Sequence, residues 1–268
     1  MDNIEVLWDD QLVMGSFHKL KSLEVRRCNK LLNIVPSRIL GWLKSLESLH
    51  VRSCGSLEVV FKLQPLNPLD GHPVAHFPLK KLELYELPEL KCVWDKELYH
   101  QVKFQSLCYV TVWKCKSLAS LFPASVAKDL IQLEELGIDE CGIVELIAKE
   151  EGLVPRFDFS RLTSLKLNDL IELKCIYTGT HALRWPALKT LEVRGCNKVE
   201  ILASQLENET SLHKQPLFLI EKVAFPSLET LVISVMDNIE VLWDDQLFVG
   251  SFHKLKSLEE HMLYVGLH

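Results

Sequence analysis

The apolar spacing of this sequence predicts an α/β solenoid. It should form a curved horseshoe with a parallel β-sheet on its concave face and mostly coil or short helix on its convex face. Three observations predict it. The pattern L-x-x-L-x-L recurs eight times and a ninth copy is broken. A closing residue, most often cysteine, follows each copy at one fixed offset. Finally, residues 1–12 reappear unchanged as residues 236–247, which marks duplication as the way the chain grew. Leucine-rich repeats have this spacing.

The strand cores follow in order. They are Leu20-x-x-Leu23-x-Val25, Leu46-x-x-Leu49-x-Val51, Leu79-x-x-Leu82-x-Leu84 and Leu107-x-x-Val110-x-Val112. Then come Leu133-x-x-Leu136-x-Ile138, Leu162-x-x-Leu165-x-Leu167, Leu188-x-x-Leu191-x-Val193 and Leu228-x-x-Leu231-x-Ile233, with the broken copy at Leu255-x-x-Leu258. The central residues are 26, 33, 28, 26, 29, 26, 40 and 27 apart. Two apolar side chains separated by one polar residue lie on the same face of a strand. Each L-x-L pair should therefore point inward.

A longer period overlies the repeat. The closing residues read Cys28, Cys54, Leu87, Cys115, Cys141, Leu170, Cys196 and Met236. Apolar closures are followed by an aromatic at one place, Trp94, Tyr177 and Trp243, which should fill the interior behind the sheet. A block of three repeats, 83 to 87 residues long, is the duplicated unit. The long steps mark insertions. Residues 62–76, rich in proline, and residues 203–224, polar in their first half, should protrude as loops. The best helical candidate is residues 125–133, with Ser125 as its cap.

The solenoid should occupy residues 1–259, followed by an irregular tail over 260–268. Register is lost after Glu259, where the earlier copy continues Val25-Arg-Arg-Cys28. Neither end shows the polar cap that repeat proteins need, so the expectation is a piece of a longer protein.

The chain has 268 residues, 48% hydrophobic and 25% charged, with a net charge of −6. That is ample for a core, and it argues against a nucleic-acid partner, which favours a basic face. The acidic first ten residues do not read as a signal peptide, and no 18-residue apolar run occurs, so neither a leader nor a membrane span is expected. Five of the eight cysteines occupy the closing position. They should be buried, reduced thiols bonded to turn backbone in a cytoplasmic protein.

No phosphate loop, G-x-G-x-x-G, C-x-x-C or H-E-x-x-H occurs, so the sequence points to no cofactor, no metal and no enzyme. His72 and His76 sit four apart without supporting carboxylates. The sequon at Asn208 is without a secretory context.

What remains is the outer face of the sheet. In L1-x2-x3-L4-x5-L6-x7-x8 the positions x3, x5, x7 and x8 should point outward and form files across the strands. The x5 file reads Glu24, His50, Glu83, Thr111, Gly137, Lys166, Glu192, Val232. The x7 file reads Arg26, Arg52, Tyr85, Trp113, Asp139, Asn168, Arg194, Ser234. The candidate partner-binding residues are Arg26, His50, Arg52, Tyr85, Trp113, Asp139, Lys166, Asn168 and Arg194. Tyr85 and Trp113 beside Arg52 form the kind of cluster enriched in interface hot spots. The competing reading is two isolated surface aromatics.

Phe17-His-Lys-Leu-Lys-Ser-Leu-Glu-Val-Arg-Arg-Cys-Asn-Lys-Leu and Trp185-Pro-Ala-Leu-Lys-Thr-Leu-Glu-Val-Arg-Gly-Cys-Asn-Lys-Val resemble the C-terminal repeats of plant disease resistance proteins of the coiled-coil nucleotide-binding class. The resemblance covers the chain to about residue 259. It implies a cytosolic module of an innate immune receptor that binds a pathogen effector or a guarded host protein, and that restrains its own nucleotide-binding domain. The coiled-coil and nucleotide-binding segments are not in this sequence, so nucleotide switching is not implied for it. The alternative is the substrate-recruiting repeats of an F-box ubiquitin ligase. Those continue past the cysteine as C-x-x-(I/L)-(T/S)-D, whereas this chain has Cys28-Asn-Lys-Leu and Cys54-Gly-Ser-Leu.

Overall fold

A computed structural model describes residues 4–8, 17–62, 75–95, 102–150, 156–177, 182–199, 203–204, 218–219, 225–236 and 252–261. Nine strands form one parallel sheet in sequence order: Ser22–Arg26, Ser48–Arg52, Lys81–Tyr85, Tyr109–Trp113, Glu135–Asp139, Ser164–Asn168, Thr190–Arg194, Thr230–Ser234 and Ser257–His261. Leu23, Leu49, Leu82, Val110, Leu136, Leu165, Leu191, Leu231 and Leu258 pair in an unbroken file. Register therefore survives every change in step length, including the 40-residue one.

The ninth strand pairs through His261, opposite Ser234, two residues beyond the expected loss of register. Backbone pairing does not require the apolar pattern, and the pattern was all that had failed there. Residues 262–268 lie outside the described residues.

The L-x-L side chains build the core. From Leu49 to Leu231 the file is at most 4% exposed, and each such side chain contributes about 1.5–3 kcal/mol on burial. Every closing residue from Cys28 to Met236 is buried as well. The residue just before it takes positive φ in all eight coils: Arg27, Ser53, Glu86, Lys114, Glu140, Asp169, Gly195 and Val235. Only one of these is glycine. A left-handed conformation is unfavourable for the other seven, and a hydrogen-bond ladder holds most of them there. The Arg27, Ser53, Glu86, Lys114, Glu140 and Asp169 amides each donate to the carbonyl of the next strand's last residue, at 2.8–3.1 Å.

The cysteines complete these turns. The thiols of Cys28, Cys54, Cys115, Cys141 and Cys196 each donate to the carbonyl two residues back, at 3.2–3.6 Å. This is the turn-capping role expected of them. None of the eight cysteines is in a disulfide. Burial pushes the Cys196 thiol up to about 12. Cys115 is also pushed up, first by its hydrogen bond to Cys141 and then by burial. Such thiols are poor nucleophiles.

Behind the sheet the expected coil is partly strand. Asn33–Pro36, Val59–Lys62 and Cys92–Trp94 form a second parallel ladder, and Ser120–Pro123 pairs with Glu145–Ala148. Arg156–Asp158 pairs with Ala182–Arg184. Aromatics fill this side as expected: Trp94 lies 6.1 Å from Phe61, 5.6 Å from Phe104 and 5.3 Å from Phe122. Tyr177 lies 5.1 Å from Phe157. Trp8 joins the core, with its indole N–H on the Ile34 carbonyl. Trp243 lies outside the described residues.

The helix expected over 125–133 is one turn, Ala124–Ala127, entered from Pro123. Ser125 is not its cap. It is buried, and its N–H and hydroxyl both reach the Glu150 carboxylate in the next coil. The other helical turn, Ser37–Leu40, also follows a proline. It begins 87 residues before Ala124, so the three-repeat block is a structural unit. Of the expected loops, residues 63–74 and most of 203–224 lie outside the described residues.

Candidate functional site

Strand register converts the sequence columns into physical files. Along x7, Arg26, Arg52, Tyr85, Trp113, Asp139, Asn168, Arg194 and Ser234 are successive neighbours. Along x5, His50 lies between Glu24 and Glu83, and Lys166 between Gly137 and Glu192. All nine candidate residues therefore share one face.

The centre of that face is aromatic. Tyr85 and Trp113 meet edge to face, with centroids 6.5 Å apart. His50 lies 5.2 Å from the Tyr85 ring, and the Lys114 ammonium sits 4.3 Å over the Trp113 ring. Tyr85 and Trp113 are partly exposed. The Tyr85 hydroxyl donates to Glu83 at 3.2 Å, and burial, then the Glu83 charge, pushes its phenol up. It stays neutral. A fixed aromatic pair with surface still open to solvent offers contact area at small entropic cost.

Charge is arranged around the pair. Arg26 is paired with Glu24 and Arg52 with Glu86 at 3.5 Å. His50 Nδ1 lies 3.6 Å from Glu83. Beyond the aromatics, Lys166 and Arg194 converge on Glu192, at 3.6 and 2.6 Å. Burial, then Asp169 and Glu140, hold the Asp139 carboxyl above its ordinary range. Two polar atoms of this face, His50 Nε2 and Asn168 Oδ1, are buried without a hydrogen-bond partner.

The x8 file escapes the sequence analysis as a source of site residues. Arg26, Arg27, Arg52 and Ser53 line a cleft of about 360 Å³. Glu86, Lys114, Glu140 and Asp169 continue that edge. Their signal was the residue before each closing position. The eighth strand differs from expectation too. Val232 and Ser234 are buried at outward positions, 5% and 4% exposed. Arg194 reaches across, bonding the Ser234 hydroxyl at 3.2 Å and Glu259 at 3.7 Å. The open face therefore runs from the first strand to the seventh. His76 bonds Ser106 away from it, at 2.9 Å. Among the described residues no group of three or more His, Cys, Asp or Glu could hold a metal. His72 and Asn208 lie outside those residues.

Residues 1–142 match the leucine-rich repeats of RPS2-like plant disease resistance proteins. The chain belongs to that family. The RPS2-like repeats thus supply a protein-interaction scaffold of plant immunity, and the candidate face just described is carried on it. No curated protein matches the chain. Among solved structures, an internalin (inlF) from Listeria monocytogenes is 14% identical, over 87% of this chain and 74% of that one, with a TM-score of 0.27. At that score it adds no argument, and the fold rests on the strand register. Among the described residues no helix is long and apolar enough to cross a membrane.

Proposed function

We propose that this chain is the ligand-reading part of a cytoplasmic plant immune receptor. Its open face binds a pathogen effector or a host protein that the receptor guards. It works as one part of a longer receptor, whose nucleotide-binding domain it contacts in the resting state. The observation that carries this reading is the Tyr85–Trp113 pair, set edge to face at the middle of the face with charged side chains on both sides of it. Large partly exposed aromatics ringed by polar groups are the usual anchors of protein interfaces.

The test is proximity labelling in leaf tissue with a ligase fused to the chain, comparing wild type with Trp113→Ala. The reading expects a set of labelled proteins that Trp113→Ala loses while its melting temperature stays unchanged. Identical labelled sets would overturn it. Fractionation of the same tissue tests the compartment, with the chain expected in the cytosolic fraction.

A further inference from the structure

The x7–x8 edge carries a basic group at its first two strands and an acidic group at its fifth and sixth, with the single charges Glu86 and Lys114 between them. The first two strands bring Arg26, Arg27 and Arg52 around one cleft. The third and fourth bring Tyr85 and Trp113. The fifth and sixth bring Asp139, Glu140 and Asp169, whose charges act on one another. We propose that this edge receives an extended protein segment that is acidic at one end, aromatic or aliphatic in the middle and basic at the other.

The arginine cleft suits carboxylates. Arg27 has no ion pair among the described residues. Arg52 gives only its Nε to Glu86, and both of them are well exposed. A guanidinium has five donors in a planar fork that fits carboxylate oxygens. Exposed ion pairs such as Arg26–Glu24 and Arg52–Glu86 are weak, so an incoming carboxylate can displace them. At the other end, one cation relieves the repulsion among Asp139, Glu140 and Asp169. Lys114, 3.7 Å from Glu140, and Lys116 offset that repulsion only in part, and Asp139 is still held above its ordinary range.

Spacing fixes the length of the segment. Four strand intervals separate the centres of the basic and acidic groups, about 19 Å at about 4.8 Å each. An extended chain covers that in about six residues, and its third or fourth residue lies over the aromatic pair. Charge order of this kind selects partners by excluding wrong arrangements as much as by attracting right ones.

This inference rests on the binding role proposed above and adds the chemistry of the partner. The probes are fluorescein-labelled eight-residue peptides of one composition: two glutamates, two lysines, a tryptophan, a leucine and two serines. In one set glutamates and lysines are blocked at opposite ends, in both chain directions. In the control they are interleaved. One blocked peptide should bind at least about tenfold tighter than the control by fluorescence anisotropy. The double variant Arg27→Glu with Arg52→Glu should lose that advantage, as should Asp139→Lys with Asp169→Lys. An unchanged melting temperature verifies folding, and Arg27→Ala with Arg52→Ala replaces the first pair if it fails that check. Equal binding of blocked and interleaved peptides overturns the proposal. So does absence of binding by either blocked peptide at millimolar concentration, or an advantage that the charge reversals leave intact. If Trp113→Ala loses labelled partners in tissue but the arginine reversals keep them all, the binding role stands and the charge order falls.

Discussion

The front and back of this solenoid follow different rules. In front, nine strands pair in a single file, with five partners at each step. Behind, pairing breaks into ladders of two and three strands. The same coils make both sides, with steps between 26 and 40 residues. The difference shows where the variation goes. Each front position is fixed by hydrogen bonds on both sides and by an inward L-x-L pair. At the back, pairing is local, and large side chains fill the space between, as where Phe61 and Trp94 of paired strands stack with ring centroids 6.1 Å apart. The front thus keeps its register across the longest step, from Leu191 to Leu231.

Mutations can break or sharpen this contrast. The largest effect is expected behind. Trp94→Ala empties a cluster that touches Phe61, Phe104 and Phe122, and should cost about 3–5 kcal/mol in chemical denaturation. Leu82→Ala, in the front file, should cost about 2–5 kcal/mol. A Trp94→Ala cost below about 1 kcal/mol would mean that the back is filler. Next is the junction between the two sides. A methyl on Gly142 would collide with the Lys116 backbone carbonyl of the previous coil. Gly142→Ala should therefore lose about 1–3 kcal/mol, because backbone cannot give way cheaply.

Cys141→Val should cost less, about 1 kcal/mol. It removes the sulfur that accepts the Cys115 amide at 3.4 Å and donates to the Asp139 carbonyl at 3.2 Å. Cys141→Ser should fall between valine and wild type.

The smallest effect concerns the face itself and depends on pH. Asp139 is held above its ordinary carboxyl range, so the folded chain binds more protons there than the unfolded one. Its contribution to stability therefore weakens as pH rises through that raised value. Asp139→Asn should be slightly more stable than wild type at neutral pH. The gap should close as pH falls toward the ordinary range. A melting-temperature difference independent of pH would show that the carboxylate cluster is not strained.

The front was legible in the sequence because its determinants are local. Val110-x-Val112 and Leu165-x-Leu167 name their face by alternation, and Cys115 or Leu170 names its turn by offset. The x7 file follows from the same alternation. At the back only the filling aromatics Trp94 and Tyr177 were legible, because its ladders join coils 25 to 33 residues apart and leave no period of their own. Ser125 reads locally as a helix cap, yet its partner is Glu150 in the next coil. The x8 edge was hidden for a related reason. Glycine advertises positive φ at Gly195 alone, whereas Arg27, Glu86 and Asp169 are forced into it by bonds to the following strand. For the same reason the burial of Val232 could not be read from a single repeat, since it depends on neighbouring coils.

The claim on which all of this depends is the single file, and methyl–methyl NOEs in a protein with labelled leucine and valine methyls test it directly. Leu49, Leu82, Val110, Leu136, Leu165, Leu191 and Leu231 should each show cross-peaks to the residues on either side in that order. Missing cross-peaks between adjacent members, or cross-peaks that join Leu82 to Leu136 without Val110 between them, would contradict the register and the candidate face built on it.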